Sequence, residues 1–232
     1  MRPAHGAADI RNWREAHRWV VEGAAVVRAP SHDTAARIER FTGVRADVQY
    51  HEPAIAMPRE IPRRGTPPTA EDPLRVVLLG FLSLTKGRRA VFEAIEAVAR
   101  AGLPIAFHLI GDPLDERPEF DPALFTYTGP YQERDLDRLI REARPDMFLF
   151  ASVAPETYSF TLTEAMRRAR PILATDVGAF AERLVGYPDY ALYPHVSSGE
   201  QLAQAIWAYA TSEAAALPRP ATSPRRDPEV SA

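Results

Sequence analysis

Cysteine is absent from all 232 residues, which excludes disulfides and thiolate metal sites and fits a reducing compartment. Long apolar runs are absent too. No stretch approaches the roughly 20 residues of a membrane span, and the opening MRPAHGAADIRNWREAH is too polar for a secretory signal. The expectation is a cytoplasmic protein, at most peripheral to the inner membrane. An excess of one charge is missing as well: a formal net charge of -3 and a pI near 6.1 leave no broad basic footprint, so nucleic acid is not an expected partner. No G-x-G-x-x-G follows the first strand of the regular α/β pattern, which leaves a dinucleotide cofactor unsupported. Lysine is nearly absent: every one of the 28 basic residues is arginine except Lys86, in LLGFLSLTKGRRA. A compact ammonium retained in an arginine-rich chain suits phosphate oxygens in a confined space; the alternative is an incidental surface lysine.

What is present is ordinary for a soluble protein, 46% hydrophobic and 25% charged, enough for one full domain and part of another. Helical spacing over 11–22, a strand in AAVVRAPS, a helix from a Ser31 cap to Phe41 and a strand in VRADVQYHEP make up a segment 1–52. Residues 53–73 are proline-rich and polar, as a linker or a surface excursion would be. A regular alternation follows: strands at 74–79, 105–110, 124–128, 147–150 and 172–175, helices at 87–101, 133–143 and 161–169, and a last helix at 198–212. This predicts an α/β fold, a Rossmann-like parallel sheet with helices on both faces, over 74–215. The tail 216–232 has the composition of a disordered end.

In such sheets ligands bind at the carboxyl ends of the strands, and the chemistry-bearing residues fall there. Gly80 and Lys86 follow the first strand, Gly111 and Asp112 the second, Gly129 to Tyr131 the third, Glu156 the fourth and Asp176 to Gly178 the fifth. The fourth unit, DMFLFASVAPETYSFTLTEAM, carries the most. It reads as strand, tight loop and helix, with Ser159 as N-cap and Glu156 and Glu164 eight positions apart. Free N–H groups and the dipole at a helix start favour phosphate, and a carboxylate one turn on can accept two hydrogen bonds from a ribose diol. The plainer reading of the two glutamates is a loop acid and a helix-surface acid. Asp135 and Asp137 spell a D-x-D, yet acids are expected at a helix start, and no histidine has metal spacing. His108, alternating with apolar neighbours, reads as a strand histidine. Asp112, Asp115 and Glu116 read first as loop acids.

From Val76 to Leu184 the chain resembles the C-terminal, donor-binding domain of retaining GT-B glycosyltransferases like those of glycosyltransferase family 4. The matching elements are Gly80 with the Lys86-Gly87 pair, HLIGD, TYTGPY, the Glu156 to Glu164 motif, EAMRRARPILATDVGAF and the ERL ending at Leu184. PETYSF and GAFAERL look like bacterial enzymes of surface polysaccharide assembly. The resemblance implies a nucleotide diphosphate sugar as donor and a saccharide or lipid-linked acceptor, with no metal or other cofactor. It implies that Lys86 stabilises the departing diphosphate, Glu156 lies against the transferred sugar and Glu164 holds the ribose. The backbone of Thr157, Tyr158, Ser159, Phe160 and Thr161 would cradle phosphates, with Gly80, Phe81, Gly111 and Asp112 beside them and Gly129 and Tyr131 flanking the base. Two positions depart from the family pattern: Phe81 stands where an arginine is common, and Ser159 where a glycine is. Only about seventy residues precede the donor domain, so most of the acceptor half is missing and the chain is expected to be an excised piece, one lobe of a longer polypeptide with an N-terminal acceptor domain, or a truncated protein. The alternative function is a non-catalytic nucleotide-sugar-binding module of a larger protein.

Overall fold

The computed structural model describes residues 7–52, 55–114 and 119–211. Asp115, Glu116 and the tail 216–232 lie outside the described residues.

The first segment is helix α1 (Ala7–Glu22), strand β1 (Arg28–Ala29), helix α2 (His32–Thr42) and strand β2 (Asp47–Val48). β1 and β2 pair in parallel over two residues each, far shorter than the runs AAVVRAPS and VRADVQYHEP suggested. Ser31 caps α2 as its sequence implies, its side chain accepting from Thr34 N.

After residue 73 come β3 (Leu74–Leu79), α3 (Arg88–Ala101), β4 (Ile105–Ile110), β5 (Phe125–Tyr127), a 3-10 turn (Glu133–Asp135) leading into α4 (Leu136–Ala143), and β6 (Met147–Phe150). The chain continues through α5 (Phe160–Arg167), β7 (Ile172–Thr175), α6 (Phe180–Arg183), β8 (Tyr190–Tyr193) and α7 (Gly199–Thr211). The strands form one all-parallel sheet, ordered β5-β4-β3-β6-β7-β8. It is the α/β Rossmann-like sheet read from the alternation. β8 and α6, each four residues long, escaped that reading. The helix expected at 161–169 runs one residue earlier and ends sooner, because Ala169 takes a left-handed φ of 50°.

Alternate strand residues feed two cores, one on each face of the sheet. Val76, Leu78, Phe107 and Leu149 pack with Val91, Ile95 and Val98 of α3 and with Leu202 and Ile206 of α7. Val77, Phe148, Phe150 and Ile172 pack with Ile140 of α4, Leu162 and Met166 of α5, and Phe180 of α6. Each fully buried side chain of this size contributes roughly 1.5 to 3 kcal/mol, so the sheet is the rigid platform for whatever its edge carries.

The described part of the proline-rich stretch, 55–73, has no helix or strand. It is a strap pinned across the domain. Ile55, Met57 and Ile61 lie against the second core, Arg63 forms a two-pronged pair with Asp189, and Arg64 reaches Asp72 and Asp146.

His108 sits half-buried on β4, with Nδ1 2.5 Å from Thr126 Oγ1, and burial lowers its pKa from the ordinary 6.5. The unfolded chain therefore takes up a proton near pH 6.5 that the folded chain refuses, so stability falls as pH drops below that value towards the depressed native one. In His108→Gln this part of the slope disappears. Urea midpoints at pH 5 and pH 7 for the two proteins test it.

Candidate functional site

The site follows from strand order. The chain enters the sheet at β3, moves outward to β4 and β5, then returns past β3 to β6 and continues outward to β7 and β8. The β3–β6 junction is therefore the switch point, where the connecting loops diverge and leave a crevice at the carboxyl edge. Gly80 leaves β3 with φ 90°, and Gly111 leaves β4 so close to it that an added Cβ would stand 1.8 Å from Gly80 O.

The 80–87 loop is seated against the exit of β6. Val153 N donates to Thr85 O at 2.9 Å, and a Cβ on Gly87 would meet Ala151 O at 1.9 Å. That contact delivers Lys86 to Glu156, with Nζ 2.8 Å from Oε1. Ser152 Oγ donates to the same oxygen at 2.8 Å. Glu156 is held from behind as well: Ala179 N donates to its carbonyl at 2.9 Å, and Gly178 approaches so closely that a Cβ would lie 2.4 Å from Glu156 N.

Beside this pair opens a cleft of about 770 Å³. Its lining gathers Gly80, Phe81, Gly111, Tyr131, Phe160, Thr161 and Glu164 from four separate stretches of sequence. Lys86 and Glu156 share the same sheet edge but do not line the cleft itself. Glu164 is engaged by two arginines one turn on, Arg167 and Arg168, the latter at 3.3 Å. Tyr131 is close enough to feel it: burial first, then the Glu164 and Glu133 carboxylates, raise the phenol pKa above its usual value.

The remaining expected residues do other work. Asp112 is buried, and its Oδ1 accepts from Leu114 N at 2.6 Å to shape the loop after β4. Gly129 adopts φ 76° with open space around it, one residue before the Pro130-Tyr131 wall. Thr157 O accepts from Thr34 Oγ1 at 3.4 Å. Tyr158 is buried, stacked under Arg183 at 3.7 Å and packed on His51 and Phe160. Ser159 precedes α5 but does not cap it through its side chain. Its φ of 69° turns Oγ towards Thr161 Oγ1 at 3.2 Å, away from the helix N–H groups. Asp135 and Asp137 are drawn into ion pairs with Arg138 and Arg168.

Four residues of the site had no role assigned from sequence. Arg183 donates to the carbonyls of Tyr158 and Ser159, both at 2.8 Å, and to Thr163 Oγ1 at 2.7 Å. These bonds make it an internal clamp on the turn into α5, and burial lowers its pKa from the ordinary value. Glu182 accepts from the N–H groups of His32 and Asp33, both at 2.9 Å, tying α2 to the domain. Glu52 lines the cleft and meets Thr163 and Arg167. Ser152 fixes Glu156. Glu182 and Arg183 fall within the ERL triplet, but Glu52 and Ser152 carry no local signal.

Solved structures share this fold. Anabaena HepE in complex with UDP-glucose is 21% identical, with a TM-score of 0.58, over 84% of this chain and 56% of that one. The lipopolysaccharide outer core galactosyltransferase WaaB is 18% identical, TM-score 0.57, over 86% and 56%. Sucrose-phosphate synthase of Thermosynechococcus elongatus is 18% identical, TM-score 0.58, over 83% and 50%. The chain thus spans about half the length of these proteins, and the likeness gives the fold of a GT-B C-terminal lobe. Among curated protein sequences none matches. The family model for glycosyl transferases group 1 matches residues 73–211, more than half of the chain. By that match over Pro73 to Thr211, this chain belongs to the group 1 glycosyl transferases.

Proposed function

We propose that the chain is the donor-binding lobe of a retaining glycosyltransferase, taking a hexose or similar sugar from a nucleotide diphosphate sugar to a saccharide or lipid-linked acceptor in bacterial surface polysaccharide synthesis. The observation that carries this is the switch-point cleft. Its lining holds Glu164 and Tyr131 with the two glycine exits Gly80 and Gly111, and Lys86 with Glu156 stands at the neighbouring loop. The volume suits a nucleoside diphosphate. That HepE has been crystallised with UDP-glucose, and that WaaB is described as a galactosyltransferase of lipopolysaccharide, support the donor and acceptor classes.

The chemistry is leaving-group stabilisation. As the glycosidic bond breaks, negative charge grows on the diphosphate, and the Lys86 ammonium with the first N–H groups of α5 meets it without a metal. Glu156, held at the edge of the crevice, faces the sugar. Glu164 exchanges its arginine contacts for the ribose hydroxyls, which form charge-assisted hydrogen bonds of about 1.5 to 3 kcal/mol each.

A thermal-shift panel of UDP, GDP, ADP and TDP with their glucose conjugates tests the reading. One base series at 100 times its dissociation constant stabilises the protein by about 2.7 kcal/mol. EDTA leaves the shift in place. Glu164→Ala weakens binding at least tenfold, the equivalent of about 1.4 kcal/mol. No stabilisation by any compound would sink the proposal. Phe81, standing where the family commonly has an arginine, favours one second reading, a module that binds the donor without turning it over. Slow release of nucleoside diphosphate from bound donor separates the two.

A further inference from the structure

Two donors converge on a single oxygen of Glu156, and they differ in kind. The Lys86 side chain is 40% exposed at the end of a flexible stem, whereas Ser152 is 3% exposed, with its carbonyl accepting from the buried Thr175 Oγ1 at 2.8 Å. Both reach Oε1 at 2.8 Å, and among the described residues Oε2 accepts no hydrogen bond. If Lys86 serves the diphosphate, as proposed above, the arriving phosphates compete with Glu156 for its single charge and draw its flexible stem away from the carboxylate. The carboxylate would then lose its mobile partner at the moment its orientation matters.

We infer that Ser152 is the positioning residue of this site. Its hydroxyl holds Glu156 Oε1 after Lys86 has turned to the diphosphate, and so keeps Oε2 aimed at the sugar. The backbone is built to keep that hydroxyl still. Ser152 lies two residues past the end of β6, Thr175 at the end of β7 clamps its carbonyl, and the next residue, Val153, is tied to Thr85 of the lysine loop. Ser152 itself does not line the cleft, so it acts through Glu156 and not on the ligand.

The inference rests on the donor-binding reading, and calorimetry on the full chain separates the two. The probes are UDP and UDP-glucose, with the GDP, ADP and TDP pairs run alongside; the base pair that the wild type binds is used. The quantity read is the ratio of sugar-nucleotide affinity to nucleoside diphosphate affinity. In Ser152→Ala the sugar-nucleotide affinity falls about tenfold while that of the nucleoside diphosphate is unchanged, which also shows the variant to be folded. Ser152→Thr, which keeps the hydroxyl, restores the ratio. Glu156→Gln loses the same increment, and the double variant Ser152→Ala with Glu156→Gln loses no more than either alone, since both remove one interaction. A wild type that binds none of the nucleotides overturns the donor reading and this inference with it. A wild type that binds them, with a ratio unmoved by Ser152→Ala or with both affinities falling together, overturns the inference alone.

Discussion

Gly87→Ala destabilises the protein by roughly 2 to 6 kcal/mol and abolishes nucleoside diphosphate binding in whatever fraction remains folded. Two terms add. A left-handed φ of 83° costs a non-glycine residue about 1 to 3 kcal/mol, and the new methyl must displace backbone, with Ala151 O only 1.9 Å from its position, at about 1 to 3 kcal/mol more. Gly102→Ala is the internal reference. It has a similar φ of 63° but nothing within 4 Å, so it carries the conformational term alone and costs about 1 kcal/mol. The urea midpoints of the two variants, compared with wild type, isolate the contact that seats the 80–87 loop on β6. Equal midpoints would show that the loop is not seated there. Binding is lost for a separate reason: moving Gly87 moves Lys86, whose Nζ now stands 2.8 Å from Glu156.

Asp189→Ala is the second large effect, a loss of about 3 kcal/mol or more. The Asp189 side chain is 9% exposed and accepts both prongs of Arg63, at 2.6 and 2.7 Å, together with Tyr209 OH at 2.8 Å. Arg63 also donates to Tyr209 O at 2.8 Å and lies over the same ring at 4.8 Å. One carboxylate thereby joins the strap, the start of β8 and the end of α7. Burial, with Asp189 beside it, pushes the Tyr209 phenol well up from its ordinary value, so it remains a donor throughout the accessible pH range. Removing the carboxylate takes away both of its bonds to the partly buried Arg63 guanidinium and its bond to the buried Tyr209 hydroxyl; breaking a buried pair costs about 3 to 5 kcal/mol, and this site lies at the lower end. Arg63→Met with Asp189→Leu, which removes both charges, recovers most of the loss. A double variant no more stable than Asp189→Ala alone would refute the account.

These two sites differ in how far the sequence announces them. Gly87 lies in a recognisable strand-loop-helix pattern, whereas the partners of Asp189 are 126 and 20 residues away and nothing local in PDYALY or IPRRGT foretells their meeting. The same division runs through the site. Gly80, Gly111, Lys86 and Glu156 could be assigned to the carboxyl edge because each lies at the exit of a readable strand or in the loop that follows it. That Lys86 would meet Glu156, while Glu164 would face a separate cleft with Arg167 and Arg168, depends on how the loops pack. Ser159 shows the limit. Its place before a helix is legible, but its left-handed backbone is not, and the carbonyls of Tyr158 and Ser159 are held there by Arg183 from 25 and 24 residues away.

By itself, then, the amino-acid order settled the alternation of strands and helices, the parallel sheet they require and the edge to which the polar loops are carried, since these depend on local periodicity and on the chain's own connectivity. Tertiary structure alone decided which acid pairs with the single lysine, which serine steadies that acid and which arginines occupy the other glutamate. Those choices are made by side chains that become neighbours only when the β3–β6 crevice forms, and ångström-scale loop packing has no counterpart in sequence spacing.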